Sequence, residues 1–179
     1  MTQPLDTPET KLNRALISHE DIGEAQQYLR LLEQLDPASD AVVRRALLTA
    51  AVVAYSRPFR KSRGGDKAAN YLPVNLDQCF TPAQLAAHQK ILDLRDTAVA
   101  HSDYAKKPAS RVAGNLAGFS FWGARFDLLQ QQLNVAEWLT MCNQLVAHCF
   151  QSALGHNRDM ELLRDPSLEA LIAHLPKSG

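Results

Sequence analysis

The stretch AVVRRALLTAAVVAYSR, residues 41–57, decides the fold. Within it, residues 46–54 carry one threonine hydroxyl and otherwise only apolar side chains. A helix on a protein surface has one polar and one apolar side, whereas a helix that is apolar all round is covered by several neighbours. The pattern therefore predicts the central helix of a bundle, with Ser39 or Asp40 as its N-cap and Pro58 just beyond its end.

Other helices are predicted on both sides of this segment. Leucine and isoleucine recur at helical intervals over 12–35, and Asp36-Pro37 ends that helix because the residue before a proline disfavours helical geometry. After the central segment, Thr81 begins a third helix with a proline at the first helical position and a glutamine that completes a capping box. This third helix is expected to reach about Ala100.

A long last helix completes the pattern. It starts with a second capping-box signal at Asn134 and is expected to end at Gly155. Before it, residues 110–126 lose helical spacing, and their aromatic and glycine pattern favours a short strand or hairpin. We therefore expect one all-α domain, a four-helix bundle with a short irregular or hairpin excursion before the last long helix.

The domain is expected to span residues 1–179 without an internal boundary. Within it, residues 1–11 are predicted to be flexible, and residues 12–155 are predicted to form the helical bundle core. Residues 156–179 are predicted to be a C-terminal segment with a short helix.

Composition argues against several functional classes. The 179 residues carry 19 basic and 19 acidic side chains. A net charge of zero argues against electrostatic binding of nucleic acid or anionic lipid over a broad surface. Three cysteines without a CxxC pair disfavour a disulfide framework or a zinc site, and Cys142 and Cys149 are predicted to pack in the core. We expect a cytoplasmic protein that uses no metal or cofactor and contacts no membrane.

Positive charge is concentrated in the loop after the central helix. In the segment RPFRKSRGGDK, residues 57–67, five basic side chains stand against one aspartate. A solvated loop is one interpretation of this pattern, and a contact with an anion or nucleic acid is the other.

Candidate chemistry lies near the end of the third helix, in LRDTAVAHSDY, residues 94–104. Arg95 falls on the apolar face of that helix, where a guanidinium is costly unless it is paired or meets a ligand. His101 follows six residues later, on a different side of a regular helix, so the two meet only if the helix ends or a second copy contributes one of them. Such a pair can promote attack of a ribose 2′-hydroxyl on the adjacent phosphate without a metal. A helix end fixed by a buried arginine is the structural alternative.

The segment RDTAVAH, residues 95–101, resembles the RxxxxxH form of the signature of HEPN domains (higher eukaryotes and prokaryotes nucleotide-binding). The longer segment LRDTAVAHSD is similar to the sequence around this motif in small bacterial members. AYSRPFRKSRG, residues 54–64, also resembles a stretch that uncharacterised bacterial proteins of this kind carry at the end of an earlier helix. The resemblance implies a HEPN-like four-helix bundle that forms a homodimer, with the two motifs facing a shared cleft.

In active HEPN members this cleft is a metal-independent endoribonuclease site, found in toxin–antitoxin, phage-defence and RNA-processing systems. The resemblance implies that His101 is the acid/base group, Arg95 the phosphate or transition-state contact, and Asp96 the polar residue that orients them. Other members are non-catalytic modules that bind a nucleotide, RNA or a protein partner such as a cognate antitoxin, and this alternative stays open. If the basic loop folds beside Arg95, Arg57 is its best-placed member for binding a ligand, because it closes the buried second helix. Weaker candidates for lining the cleft are Tyr55, His88, Ser102 and Asp103.

Overall fold

The computed structural model describes residues 7–36, 40–60, 72–96, 109–112, 120–123 and 128–164. Its helices are α1 (Pro8–Gln34), α2 (Ala41–Ser56), α3 (Leu76–Cys79), α4 (Pro82–Leu94) and α5 (Val135–Arg164). Two short strands, β1 (Ala109–Val112) and β2 (Ser120–Gly123), pair in antiparallel register with Ala109 opposite Gly123. They lie at the segment for which the sequence predicts a strand or hairpin. The all-α class is confirmed, while the four-helix bundle stays a prediction.

The first helix begins earlier than the sequence analysis predicts. Thr7 is its N-cap and Pro8 occupies the first helical position, so residues 8–11 are helical where a flexible segment was expected. The Thr7 Oγ1 accepts a hydrogen bond from the Thr10 N–H at 3.2 Å. A hydroxyl cap followed by proline starts a helix without any apolar residue, which is why hydrophobic spacing alone misses this turn.

The core lies where α1, α2, α4 and α5 meet. The most extensive contact joins α1 to α5, and α2 packs against α1. α2 is less central than predicted, because Ala46 is exposed and Leu47, Ala50 and Val53 are only partly buried. All four helices contribute to the largest fully buried side chains, and two more come from the segments between helices: Ile22, Leu29, Val52, Tyr55, Pro58, Leu72, Ile91, Leu94, Trp138, Met141, Cys142 and Leu145.

α4, which carries the candidate motif at its end, starts as the sequence predicts. The Thr81 Oγ1 accepts from the Gln84 N–H at 3.3 Å, and the Gln84 side chain accepts from the Thr81 N–H at 2.9 Å. This reciprocal capping box fixes where α4 begins. The α-helix passes into a π-helical turn at residues 95–96, and the predicted continuation to about Ala100 falls on residues 97–100, which lie outside the described residues.

The prediction that the last helix ends at Gly155 is wrong, since α5 continues to Arg164. One glycine inside a helix costs only about 1 kcal/mol relative to alanine. Side chains also connect the turns on either side of it, because Ser152 Oγ lies 3.2 Å from His156 Nε2 and His156 Nδ1 lies 4.0 Å from Asp159. Despite the length of α5, the described ranges hold no helix that combines the length and apolar character needed to cross a bilayer.

Two leucines on α1 provide a matched test of this core. Leu29 is fully buried, whereas Leu31 is 49% exposed on the opposite side of the same helix. We expect Leu29→Ala to lower the free energy of unfolding by about 2–5 kcal/mol because it leaves a cavity. Leu31→Ala is expected to change it by less than about 0.5 kcal/mol. Urea denaturation of both variants measures the difference, and equal losses would contradict this packing.

Candidate functional site

The end of α2 and the turn that follows it supply one side of the candidate site. Residues 57–60, here called the RPFR segment, form a 3₁₀ turn over Arg57–Phe59 and an extended residue at Arg60. Pro58 is buried, and its carbonyl accepts a hydrogen bond from the Leu72 N–H at 2.8 Å. The segment is therefore held in place where the basic stretch begins.

Arg57 turns towards α1. Its Nη1 donates to Asp21 at 3.0 Å and to Glu24 at 2.6 Å, while half of its side chain stays exposed. Because two carboxylates share its positive charge, the pKa of the guanidinium rises above its ordinary value. The sequence analysis names Arg57 as the best-placed basic side chain for the cleft, but the contacts found for it in the described residues join α2 to α1.

Arg60 is the basic side chain that reaches the motif. Its Nη2 lies 2.6 Å from Asp96 Oδ2, and the Nη1 of Arg95 lies 3.0 Å from Asp96 Oδ1. One carboxylate is thus bridged by two guanidinium groups, one from the RPFR segment and one from the end of α4. The three side chains are 31%, 37% and 36% exposed for Arg60, Asp96 and Arg95, so this cluster lies at the surface.

Arg95 is only partly buried, with 36% of its side chain exposed, which differs from the structural alternative of a buried arginine at the helix end. The residue caps α4, and its N–H donates to the carbonyls of both Ile91 and Leu92, a shared hydrogen bond that is common at helix ends. Its backbone keeps helical dihedral angles in a π-helical turn, and its side chain pairs with Asp96. A partly exposed ion pair of this kind contributes little to stability. Arg95 is therefore available for contacts other than structural ones.

Tyr55 and His88 lie in the core instead of lining an open cleft. Tyr55 is fully buried and His88 is 5% exposed, and the Tyr55 hydroxyl lies 2.9 Å from His88 Nδ1. The rings of Phe59 and Phe80 pack against His88 with centroids 4.7 and 5.9 Å away. Trp138 packs edge-on against Tyr55 at 5.6 Å. These apolar surroundings explain why neither side chain faces solvent.

The aromatic surroundings of His88 also set its charge. Burial, with a smaller contribution from the nearby positive charge of Arg60, lowers the pKa of His88 from 6.5 to about 4. The ring is therefore neutral near physiological pH. Its role in this structure is to hold Phe59, and with it the RPFR segment, against α4.

The remaining candidates of the sequence analysis have different outcomes. His101, Ser102 and Asp103 lie outside the described residues.

The prediction that Cys142 and Cys149 are core residues is confirmed, since both are fully buried. Burial raises the pKa of the Cys142 thiol to about 12 and that of Cys149 to about 11. Among the described residues, no three histidine, cysteine or acidic side chains converge in a way that could hold a metal ion.

Sequence reasoning missed the role of Arg60. The residue was recognised only as one of five basic side chains in a loop, because its contact with Asp96 spans 36 positions of the chain. The signal that could have selected it is its place directly after Pro58-Phe59. An apolar pair that closes a buried helix is expected to pack inward and to fix the next residue at the surface.

Comparisons of the chain with protein-family models, with curated proteins and with solved structures find no match. The chemistry of the site is therefore inferred from its geometry and from the motif at residues 95–101. Two guanidinium groups around one exposed carboxylate have the donor geometry of an anion-binding site.

The lowered pKa of His88 predicts a specific loss of stability in acid. Between pH 6.5 and about 4 the unfolded chain binds a proton at this ring and the folded chain does not, so stability falls as the pH falls. The expected loss across this window is about 3 kcal/mol. Urea unfolding at a series of pH values measures it in the natural chain and in His88→Leu, which lacks this titration. Parallel pH profiles for the two chains would contradict the prediction.

Proposed function

We propose that this protein is a cytoplasmic HEPN-like endoribonuclease that cleaves RNA without a metal, acting through Arg95 and His101. The observation that supports the proposal most directly is the position of Arg95, which reaches the surface at the end of α4 with 36% of its side chain exposed. An arginine in a core ion pair could not contact a substrate without unfolding that region, whereas this guanidinium can.

The proposed chemistry needs two groups at one phosphodiester. His101 takes the proton from the ribose 2′-hydroxyl, and the resulting oxygen attacks the adjacent phosphorus while the bond to the 5′-oxygen breaks. Arg95 stabilises the negative charge that develops on the nonbridging phosphate oxygens. The protonated His101 then returns a proton to the departing 5′-oxygen, which leaves a 2′,3′-cyclic phosphate on one product and a 5′-hydroxyl on the other.

The proposal includes a homodimer. Arg95 and His101 are separated by five residues, and in the HEPN-like arrangement the motifs of two copies face one cleft. A second positive cluster from the partner would double the charge at that cleft without changing the neutral net charge of the chain. A protein partner of antitoxin type would act by covering the same cleft.

The nuclease proposal is tested by incubating purified protein with RNAs of varied sequence in excess EDTA. We expect cleavage to products with 2′,3′-cyclic phosphate ends, which are identified by end mapping. His101→Ala is expected to lower the rate by about 100-fold or more, the size of a general acid–base contribution. Arg30→Ala, which removes an exposed charge on α1, is the matched control and should leave the rate unchanged.

Three other outcomes would contradict parts of the nuclease proposal. A folded dimer, shown by light scattering, that cleaves none of the RNAs would overturn the nuclease proposal and favour a non-catalytic HEPN-like binding module. Cleavage that persists in His101→Ala would exclude His101 as the acid/base group. A strictly monomeric chain that still cleaves RNA would exclude the shared cleft.

A further inference from the structure

We propose that Arg60 and Arg95 together form a phosphate-binding site, and that the carboxylate of Asp96 is a resident counterion which an RNA phosphodiester displaces. The inference deepens the proposed function and rests on it for the choice of RNA as the ligand. It adds a binding residue outside the RxxxxxH motif and gives Asp96 a role beyond orienting Arg95. The observations that carry it are the geometry, the charge and the exposure of these three side chains.

The geometry of the cluster matches a phosphate. Arg60 Nη2 and Arg95 Nη1 each contact a different oxygen of Asp96, at 2.6 and 3.0 Å. The two guanidinium groups are therefore already spaced to hold two oxygens that share one central atom. The nonbridging oxygens of a phosphodiester have the same arrangement and a similar separation, and arginine binds carboxylate and phosphate with the same donor pattern.

The charge of the cluster favours a further anion. Two guanidinium groups face one carboxylate, so the cluster keeps one unit of positive charge. Asp96 pairs with both guanidinium groups, and a phosphate would meet the same two groups, so contacts with them decide the exchange.

The carboxylate satisfies only part of the donor set. Arg60 contacts Asp96 through Nη2 and Arg95 contacts it through Nη1, so the carboxylate meets one terminal nitrogen of each guanidinium. All three side chains are about one-third exposed, and an exposed ion pair is held by well under the energy of a buried one. A ligand with more acceptor oxygens than a carboxylate can therefore replace Asp96 at small cost.

The position of Arg60 is fixed before any ligand arrives. Phe59, the residue before it, packs edge-on against His88 with ring centroids 4.7 Å apart. Pro58 is anchored by the Leu72 N–H, and Arg57 is held by two carboxylates of α1. Because the backbone on its N-terminal side is held at every residue, Arg60 loses little freedom when it binds, and a preorganised donor binds more tightly than a mobile one.

The test measures binding separately from cleavage. Fluorescence anisotropy with a labelled single-stranded RNA is carried out in EDTA on the His101→Ala chain, in which the proposed chemistry is blocked. Arg60→Ala is expected to weaken RNA binding about tenfold, and to reduce the slope of log affinity against log salt by about 0.7, the value for one phosphate contact on a single strand. Asp96→Asn, which removes the counterion and keeps the side-chain shape, is expected to strengthen binding several-fold. Arg30→Ala is the control for loss of one exposed charge.

Competition distinguishes the sources of the phosphate. Inorganic phosphate and a mononucleotide are each titrated against the bound RNA. If the site binds the phosphodiester backbone, inorganic phosphate displaces the labelled RNA only at concentrations much higher than those at which unlabelled RNA displaces it. Displacement of the RNA by the mononucleotide at concentrations as low as the RNA requires would overturn the assignment to an RNA backbone.

Two results would overturn the inference whatever the nuclease assay shows. Equal RNA affinity and an equal salt slope in Arg60→Ala and in the Arg30→Ala control contradict the role of Arg60. Weaker RNA binding in Asp96→Asn contradicts displacement of the carboxylate. Failure of the nuclease proposal gives a different pattern, in which Arg60-dependent binding persists and the natural chain leaves RNA intact.

Discussion

The contact between Tyr55 and His88 is the interaction on which the rest of the site depends. It joins the last turn of α2 to the middle of α4 through a 2.9 Å hydrogen bond inside an aromatic cluster. Both groups are buried, and an unpaired buried polar group costs about 1–3 kcal/mol, so each one needs the other. The pairing fixes how the end of α2 faces α4. Phe59 continues the cluster, and the chain leaves it at Arg60, directly opposite the end of α4.

The packing of the aromatic cluster also decides which charged side chains meet. The neutral net charge of the chain provides no general attraction for an anion, so any binding depends on where single charges lie. The aromatic cluster places Arg60 beside Asp96, and Arg95, the residue after α4, pairs with the same carboxylate. The neutral state of His88 serves this placement, because a second positive charge in the core behind Arg60 would repel the guanidinium.

Much of the fold was predictable because its signals are local. The caps Asp40 and Thr81 and the proline that follows Thr81 fix where α2 and α4 begin, and apolar spacing indicates which cysteines are buried. The missed features lie near helix ends, which no single residue decides. α5 continues through Gly155, where contacts of His156 with Ser152 and Asp159 connect the turns on either side, and α4 changes its hydrogen bonding at Arg95.

The candidate site could be predicted only in part because one of its contacts joins distant parts of the chain. The motif at residues 95–101 selects Arg95 and Asp96 from spacing alone, and it names His101, which lies outside the described residues. Arg60 reaches Asp96 through packing between α2 and α4, which no short pattern contains. A sequence shows which charges exist, whereas burial and helix ends decide which of them meet.

The most direct test of the account is a double-mutant cycle between His88 and Arg60, read out as affinity for single-stranded RNA in the His101→Ala chain. Circular dichroism first confirms that each variant is folded. If His88 acts by positioning Arg60, His88→Ala weakens RNA binding in the chain that carries Arg60 and has no further effect in Arg60→Ala. Two losses that simply add would show that the aromatic cluster and the charged site are independent, which contradicts the account.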